Sequence, residues 1–354
     1  MLSRLLDFLT CPECGSKFKL HIYKSQKSKQ ITKLKDKINI VEGLLECSCG
    51  ALYPIIDSVP RMISDAFKEN SKFYHDNETE INSKIGNNFS KNLPKSFKST
   101  QKSFGQQWMI FDYSDRTWAR TSDERRKEVL IHFNQKESEF KNKLLLDIGC
   151  GNGIEAAVIT DFGCEVVAMD LSDSIIRANK EAIKFRKKNL APVHYVQANL
   201  MNPPFKNKTF DFVSSSGVLH HTPNTKKAFD KVAPLCKGKL WIWLYQREKW
   251  IATLIEISKI ITRRIPLRFQ YYICYITAPI YQLLKSFLNL TGLGKYPNMT
   301  FRENVVSLSD TLTPAYAFNH TPKEVTHWYK EAGFKHIKET WRDRCGFGIL
   351  GTKI

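Results

Sequence analysis

Short apolar runs alternate with amphipathic stretches through most of the chain. The apolar runs have the length of buried strands and end at glycine or polar residues, a pattern typical of parallel strands covered on both faces. The predicted strands are Lys143–Ile148, Glu165–Asp170, Val193–Gln197, Phe210–Ser215, Lys239–Tyr245, Lys335–Thr340 and Phe347–Lys353. Together they predict a seven-stranded sheet.

Helical patterns separate several of these strands. Glu155–Phe162 and Ser172–Lys188 have helical spacing, and Ser172 or Asp173 is the expected N-cap of the second helix. A further helix is predicted over 323–332. Because strands that alternate with helices form mostly parallel sheets with helices on both faces, the sequence predicts an α/β fold.

Composition divides the chain into three parts. Residues 1–63 hold clustered cysteines, a Lys-rich middle and an apolar end, and they predict a small separate domain. Residues 64–103 are rich in Asn, Ser and Lys with little periodicity, which is typical of a linker or loosely packed helices. Residues 104–354 form the main globular domain, with a helical insertion at about 246–319.

The overall composition excludes some classes of protein. Of 354 residues, 42% are hydrophobic, which excludes a wholly disordered chain. The 54 Lys and Arg against 35 Asp and Glu give a net charge of +19, which permits contact with nucleic acid or an anionic membrane but identifies neither. The uncharged apolar stretch of the insertion, Phe269–Leu284, is shorter than the roughly 20 residues that a spanning helix needs.

Cysteine usage indicates a reducing compartment. The nine cysteines are odd in number and only four cluster, unlike the framework of a small secreted disulfide protein. Ten residues precede Cys11, too few for a signal peptide. We therefore expect a cytoplasmic protein, with peripheral contact to a membrane left open.

The clustered cysteines form two knuckles. Cys11 and Cys14 lie in one tight turn, and Cys47 and Cys49 lie in another, each pair followed by glycine. Four thiolates complete the tetrahedral shell that structural zinc prefers, and such a shell leaves no open position for chemistry. The sequence therefore predicts a structural zinc ion; the alternative is four reduced, free cysteines.

A glycine-rich loop follows the first strand of the main domain. Its residues are Leu146-Asp147-Ile148-Gly149-Cys150-Gly151-Asn152-Gly153. Alternate glycines let a ligand approach the backbone closely, and Asp170 ends the next strand, where a carboxylate can accept both hydroxyls of a ribose. The dinucleotide fingerprint would need glycine where Ile154 stands.

This loop resembles motif I of class I S-adenosyl-L-methionine-dependent methyltransferases of the type 11 group. Segments 196–200, 210–221 and 234–240 resemble the later landmarks of that family in the same order. The resemblance implies a Rossmann-like seven-stranded sheet and S-adenosylmethionine as cofactor. Asn199 departs from the family, which usually has Asp there. The implied cofactor contacts are Asp147, Gly149, Gly151, Gly153, Asp170, Leu171, Asn199, Leu200 and Ser216.

The amino-terminal part resembles the small zinc-binding domain called Trm112-like. The resemblance rests on the four cysteines together with Tyr53–Asp57 and Val59-Pro60-Arg61. It implies a zinc-ribbon-like domain ahead of the methyltransferase domain, and related domains activate methyltransferases of RNA and protein.

The insertion combines apolar and basic residues. From Arg247 to Arg302 there are nine Lys or Arg against two Asp or Glu. Three interpretations stay open: a lid over a lipid-like substrate, an interfacial helix on an anionic membrane, or an ordinary buried helical cap. The apolar residues at helical spacing are Trp250, Ile251, Leu254, Ile255 and Ile257.

Methyl transfer to a hydroxyl needs a base that removes its proton. His220 and His221 follow the fourth strand, where the methyl group should lie, so either is a candidate base; a packing role is the alternative. Second-rank candidates are Asp310, Tyr316 and His320. Phe104 and Trp108 are predicted to begin a segment that closes over the methyl donor, or else to anchor the core.

Three functional hypotheses follow. The first is a methyltransferase for a small-molecule or lipid- or glycan-linked acceptor. The second is an RNA methyltransferase that uses the zinc domain and basic surface for recognition. The third is a non-catalytic scaffold that binds the cofactor. The intact glycine loop and Asp170 argue against the third, and the apolar insertion favours the first. The acceptor and the oligomeric state stay open.

Overall fold

The computed structural model describes residues 1–28, 38–84, 101–105, 107–108, 116–188, 190–246, 253, 256–259, 262, 264–292 and 296–353. Its strands are β1 Phe18–Lys27, β2 Ile38–Cys47, β3 Leu52–Ile56, β4 Val59–Met62, β5 Arg116–Thr117, β6 Arg120–Thr121, β7 Leu144–Ile148, β8 Glu165–Asp170, β9 Val193–Ala198, β10 Phe210–Ser216, β11 Cys236–Tyr245, β12 Lys335–Arg342 and β13 Gly346–Thr352.

The α-helices are short apart from one in the insertion. In chain order they are α1 Ala66–Glu69, α2 Ser71–Asp76, α3 Glu78–Lys84, α4 Ser122–Phe133, α5 Ile154–Ile159, α6 Ser174–Glu181, α7 Thr225–Val232, α8 Leu267–Leu290, α9 Phe301–Leu312 and α10 Pro322–Glu331. Several end in a turn of 3₁₀ helix, as in Thr160–Phe162 after α5.

The predicted α/β sheet is confirmed. Strands β9, β8, β7, β10 and β11 pair in parallel in that order, and β13 pairs antiparallel with both β11 and β12. Every residue of β8 and β9 is buried, as expected for parallel strands covered on both faces. Their carboxyl ends therefore meet at one edge of the sheet, where the glycine loop and Asp170 lie.

The amino-terminal strands extend the same sheet. Strands β1 to β4 form an antiparallel meander, and β4 then pairs in parallel with β9, with Arg61 opposite Gln197 and Met62 opposite Ala198. Within the described residues, one sheet of eleven strands results. The separate small domain predicted from composition thus shares its sheet with the main domain, and Tyr53 and Val196 belong to one hydrophobic core.

Two local expectations need correction. Helix α6 ends at Glu181 and a 3₁₀ turn continues to Phe185, short of the predicted Lys188. Asp173 is the N-cap residue, one of the two expected, but no side chain caps the helix, because the Ser172 hydroxyl donates to Asp170 and the Asp173 carboxylate accepts from the Gln197 amide. The predicted linker begins with α1 to α3, and its residues 85–100 lie outside the described part.

The insertion contains a helical pair. Helix α8 runs for 24 residues with Pro279 inside it, and its buried side packs on α9 through Tyr271, Cys274 and Val305. Among the described residues, no helix is long and apolar enough to cross a membrane. The predicted helical residues Trp250, Ile251, Leu254 and Ile255 lie outside the described residues.

A buried histidine lies beneath the last strands. The ring of His132 on α4 stacks on Trp241, with centroids 3.8 Å apart, and meets Trp341 edge-on. Burial, together with the positive charges of Arg120 and Arg125, lowers the pKa of His132 to about 3. The imidazole is therefore neutral in the folded protein down to strongly acidic pH.

We predict that His132 makes the fold sensitive to acid. An unfolded histidine takes up a proton near pH 6.5, whereas the folded one does so only near pH 3, so protonation favours the unfolded state across that window. Between pH 7 and pH 5 this should remove about 2 kcal/mol of stability. His132→Phe, which keeps a stacking ring, should lose less stability than wild type over that interval in urea unfolding; an equal loss would contradict the prediction.

Candidate cofactor and metal sites

The four predicted zinc ligands lie together. Their sulfur atoms are all within 4.8 Å of one another, with Cys11 and Cys49 3.7 Å apart and Cys14 and Cys47 3.4 Å apart. A tetrahedral zinc with Zn–S bonds of about 2.3 Å needs sulfurs about 3.8 Å apart, so the cluster fits this metal. Each turn closes through a glycine N–H, from Gly15 to the Cys11 carbonyl and from Gly50 to the Cys47 carbonyl.

The four thiols differ in how readily they lose their protons. Burial raises the pKa of Cys11 and of Cys47, whereas hydrogen bonding with Ser16 lowers the pKa of Cys14 to about 6. Without a positive ion, the buried thiols hold their protons. A bound Zn²⁺ would stabilise all four as thiolates.

The first zinc knuckle also contacts the main domain. The Thr10 N–H donates to the Pro204 carbonyl at 2.9 Å, and the Asn202 side chain donates to the Pro12 carbonyl at 2.7 Å. The contacted segment, residues 199–205, lies in the loop that links β9 to β10 and includes the predicted cofactor contact Asn199. The knuckle therefore braces one wall of the predicted cofactor site.

The glycine loop approaches its neighbours too closely for larger residues. A Cβ on Gly149 would lie 2.2 Å from a methyl carbon of Val218, and one on Gly151 would lie 2.8 Å from the indole of Trp108. Both glycines also have positive φ, at 72° and 52°. The loop thus needs glycine for its backbone conformation and for the space above it.

The Asp170 carboxylate is fixed beside this loop. It accepts hydrogen bonds from the Gly151 N–H at 2.9 Å, from the Ser172 N–H at 2.8 Å and from the Ser172 hydroxyl at 2.7 Å. Burial raises the pKa of Asp170, and these hydrogen bonds oppose the shift. Asp147 lies beneath the same loop, where burial, Glu155 and Asp170 raise its pKa.

The remaining predicted cofactor contacts lie at the same edge of the sheet. The Asn199 side-chain oxygen accepts from the Met201 N–H at 2.9 Å, so it closes a local turn. The Leu171 carbonyl accepts from the Gln197 amide, Leu200 packs on the core, and Ser216 is exposed at the end of β10. The Asn199 side-chain oxygen is therefore already engaged by a backbone N–H two residues away.

A buried arginine joins the amino-terminal strands to the loop after Asp170. The Arg61 guanidinium, fully shielded from solvent, donates to the Gln197 side chain at 2.7 Å and lies 3.7 Å from the Asp173 carboxylate. Burial lowers the pKa of Arg61, while Asp173, Asp57 and Glu69 raise it. The sequence analysis names Arg61 only as part of a motif and gives it no role at the site, because strand pairing alone brings it to Asp173.

A short helical segment crosses the site. Residues 101–105 and 107–108 are helical, and the Trp108 indole lies against Gly151. The Arg177 side chain donates to the Trp108 carbonyl at 3.3 Å, and the Phe104 ring lies 5.1 Å from the ring of His221. The segment predicted to close over the methyl donor thus extends from the glycine loop to the histidine pair.

The two candidate bases lie in an aromatic cluster at the ends of β10 and β11. The His220 ring lies 3.9 Å from the Tyr245 ring, and both histidines are buried. Nδ1 of His221 lies 2.7 Å from the Tyr316 carbonyl. Because a carbonyl can only accept, Nδ1 donates, and the Nε2 atom of a neutral His221 carries the lone pair.

Residues from the insertion complete this cluster. The Tyr245 hydroxyl donates to the Asp310 carboxylate on α9 at 2.5 Å. The third second-rank candidate, His320, is held between Thr225 and Glu324, at 2.9 and 3.1 Å. Asp310 and Tyr316 therefore lie at the cluster that contains the histidine pair, whereas His320 precedes α10 and contacts Glu324 and Thr225 instead.

Comparison with known proteins finds two families. Residues 146–242 match the family described as "Methyltransferase domain", and residues 3–58 match the family described as "Trm112p-like protein". The first match contains the glycine loop, Asp170 and both histidines. The second contains the four cysteines.

Two curated relatives match a limited part of the chain. The chain is 33% identical over 97 residues to the sterol 24-C-methyltransferase of Schizosaccharomyces pombe, which is 26% of this chain and 25% of that protein. It is 25% identical over 115 residues to a ubiquinone biosynthesis O-methyltransferase of Coxiella burnetii, which is 32% and 48% respectively. The chain thus spans between a quarter and a half of these relatives' length.

A solved structure also aligns with the chain. It is the magnesium protoporphyrin IX methyltransferase of Synechocystis PCC 6803 with bound SAH, at 13% identity and a TM-score of 0.46. The alignment covers 73% of this chain and 100% of that one.

For the metal site, we predict about one zinc ion per chain by metal analysis of the purified protein. Cys47→Ser should lose the metal and lower the melting temperature, because three sulfur ligands cannot close the tetrahedral shell. Cys345→Ser, an exposed cysteine outside the cluster, is the matched control and should keep both. A wild-type protein that is folded and free of metal would contradict this assignment.

Proposed function

We propose that this chain, which carries a methyltransferase domain behind a Trm112-like domain, is an S-adenosylmethionine-dependent methyltransferase for a small-molecule or lipid- or glycan-linked acceptor. The observation that carries the proposal is the Asp170 carboxylate, held by the Gly151 N–H at the edge of the glycine loop. Such a pairing suits a ligand that contains a ribose.

The residues of this edge fit S-adenosylmethionine. The positive-φ glycines leave backbone that a ligand can approach closely, and the Asp170 carboxylate suits the ribose hydroxyls. Leu171, Asn199 and Leu200 would border the adenine, and Asp147 and Ser216 would lie near the methionine end. When bound, this cofactor supplies an electrophilic methyl group.

His221 is our candidate for the general base. Its hydrogen bond to the Tyr316 carbonyl orients the ring and leaves the lone pair on Nε2, the atom that would take the proton of an acceptor hydroxyl. His220 packs against Tyr245 and Trp243 and is fully buried, so we assign it a packing role.

An apolar acceptor is supported by the surroundings of His221. The rings of Phe104 and Tyr245 lie 5.1 and 5.4 Å from it, and Tyr316 stacks on Phe318 nearby. The names of two relatives refer to a sterol and to ubiquinone biosynthesis, and both of these compounds are lipids. The Tyr245–Asp310 pair offers one polar point of recognition within this cluster.

An RNA acceptor is the second candidate, and the net charge of +19 together with the Trm112-like domain favours it. Incubation with methyl-labelled S-adenosylmethionine and a fractionated cell extract separates the two. Label in the organic or small-molecule fraction is the result that we expect. Label in the RNA fraction would overturn the first proposal.

We predict that Asp170→Ala weakens S-adenosylmethionine binding by about 1.5–3 kcal/mol, because charge-assisted hydrogen bonds to the ribose are lost. Isothermal titration calorimetry measures this directly. Asp230→Ala, which removes an exposed carboxylate on α7 that pairs with Lys226, should leave the affinity unchanged. Equal affinities for wild type and Asp170→Ala would remove the ribose assignment.

For the base, we predict that His221→Gln lowers the rate of methyl transfer in the labelled extract by about 10²–10⁴-fold, with S-adenosylmethionine affinity kept. His327→Gln, an exposed histidine on α10, is the control and should be as active as wild type. If His221→Gln retains full activity, proton removal does not depend on this residue.

A further inference from the structure

The longest helix exposes an apolar face along its whole length. The stripe recurs every three or four residues, and its members include Ile276, which is 73% exposed, and Leu290, which is 87% exposed. The other exposed members are Phe269, Tyr272, Ile280, Leu283, Leu284 and Phe287. Contiguous apolar surface of this kind marks a contact with another molecule or with a membrane.

The opposite side of α8 is polar in part. Buried Lys285 donates to the Asn304 side chain on α9, and buried Gln270 donates to the carbonyls of Thr262 and Ile265. A helix that faces water normally has its charged residues outside. Here a lysine is inside while leucines and isoleucines are outside, so the outer face is unsuited to bulk water.

Exposed arginines accompany this face. The chain has no Asp or Glu between Glu256 and Glu303, and Arg264, Arg268 and Arg302 are exposed in that interval. The exposed Arg268 lies over the Phe269 ring at 4.9 Å. The exposed Arg302 follows Phe301, whose ring lies 5.6 Å from Tyr275. Arginine and tyrosine thus lie along one margin of the stripe.

We propose that the outer face of α8 docks on an anionic lipid bilayer, with the helix parallel to the surface. The apolar stripe would enter the boundary of the acyl chains, and the arginines at its margin would meet anionic headgroups. A second copy of this chain is the other candidate occupant. Each copy has arginines beside its stripe, so pairing of two stripes would bring like charges together and be disfavoured by their repulsion.

Docking there would place the bilayer on the helical pair that also borders the proposed acceptor site. Helix α8 packs on α9, and Asp310 of α9 accepts the hydrogen bond of Tyr245 beside the histidine pair. This inference deepens the proposed function, because a bilayer-bound enzyme could take a lipid-linked acceptor from the membrane. The binding itself requires no methyl transfer.

Co-sedimentation with vesicles tests the proposal. The probes are vesicles of phosphatidylcholine with one third phosphatidylglycerol, and vesicles of phosphatidylcholine alone. The test variant is Ile276→Glu with Leu283→Glu. The matched control is Ile131→Glu with Ile183→Glu, which places two carboxylates on exposed isoleucines elsewhere. Circular dichroism of each variant establishes that it is folded.

We expect wild type and control to bind the anionic vesicles, and the test variant to bind about tenfold more weakly. Binding should also weaken on neutral vesicles and at high salt. Absence of wild-type binding would overturn the proposal. So would a wild-type dimer in light scattering that becomes monomeric in the test variant. Calorimetry with S-adenosylmethionine on the same samples reports on the proposed function separately, since vesicle binding without cofactor binding would contradict that function alone.

Discussion

The parallel pairing of β4 with β9 is the constraint on which the rest of the molecule depends. It makes one sheet of the zinc-binding strands and the methyltransferase strands. The buried guanidinium of Arg61 strengthens the joint, since it reaches from β4 to Gln197 and toward Asp173. Because a buried charge needs its partners, separating the two parts of the chain would either expose the Arg61 guanidinium to water or leave it buried without Gln197 and Asp173.

This joint supports two walls of the proposed cofactor site at once. Arg61 contacts Asp173 in the loop that follows Asp170. The first cysteine turn contacts the loop that follows β9, through the hydrogen bond from Asn202 to the Pro12 carbonyl. A zinc ion held by the four cysteines would therefore act at a distance from the proposed chemistry, by fixing backbone. On the far side, Phe104 and α9 contribute to the aromatic cluster around the histidine pair, so the proposed acceptor region is built from segments outside the central strands.

The sequence predicted the features that depend on local pattern. The apolar runs located the strands of the main sheet, the alternate glycines located the loop, and the cysteine spacing located the four sulfurs that the structure brings together. It could not predict that β4 joins β9, because two-residue pairing across more than a hundred positions leaves no periodic signal. Asp173 is the N-cap residue, as one of the two expectations had it, but its side chain does not cap the helix, because its carboxylate accepts from Gln197 on β9 instead.

Strand β4 is synthesised well before β9, the strand with which it pairs. Arg61 leaves the ribosome about 136 residues before Gln197, and at roughly 5–20 residues per second this edge waits roughly 7–27 seconds for its partner. An unpaired strand edge can recruit foreign strands during such an interval. Strand β4 has only four residues, and Pro60 among them has no N–H to offer. A short edge strand that contains proline is thus less prone to pair with other strands before β9 is synthesised.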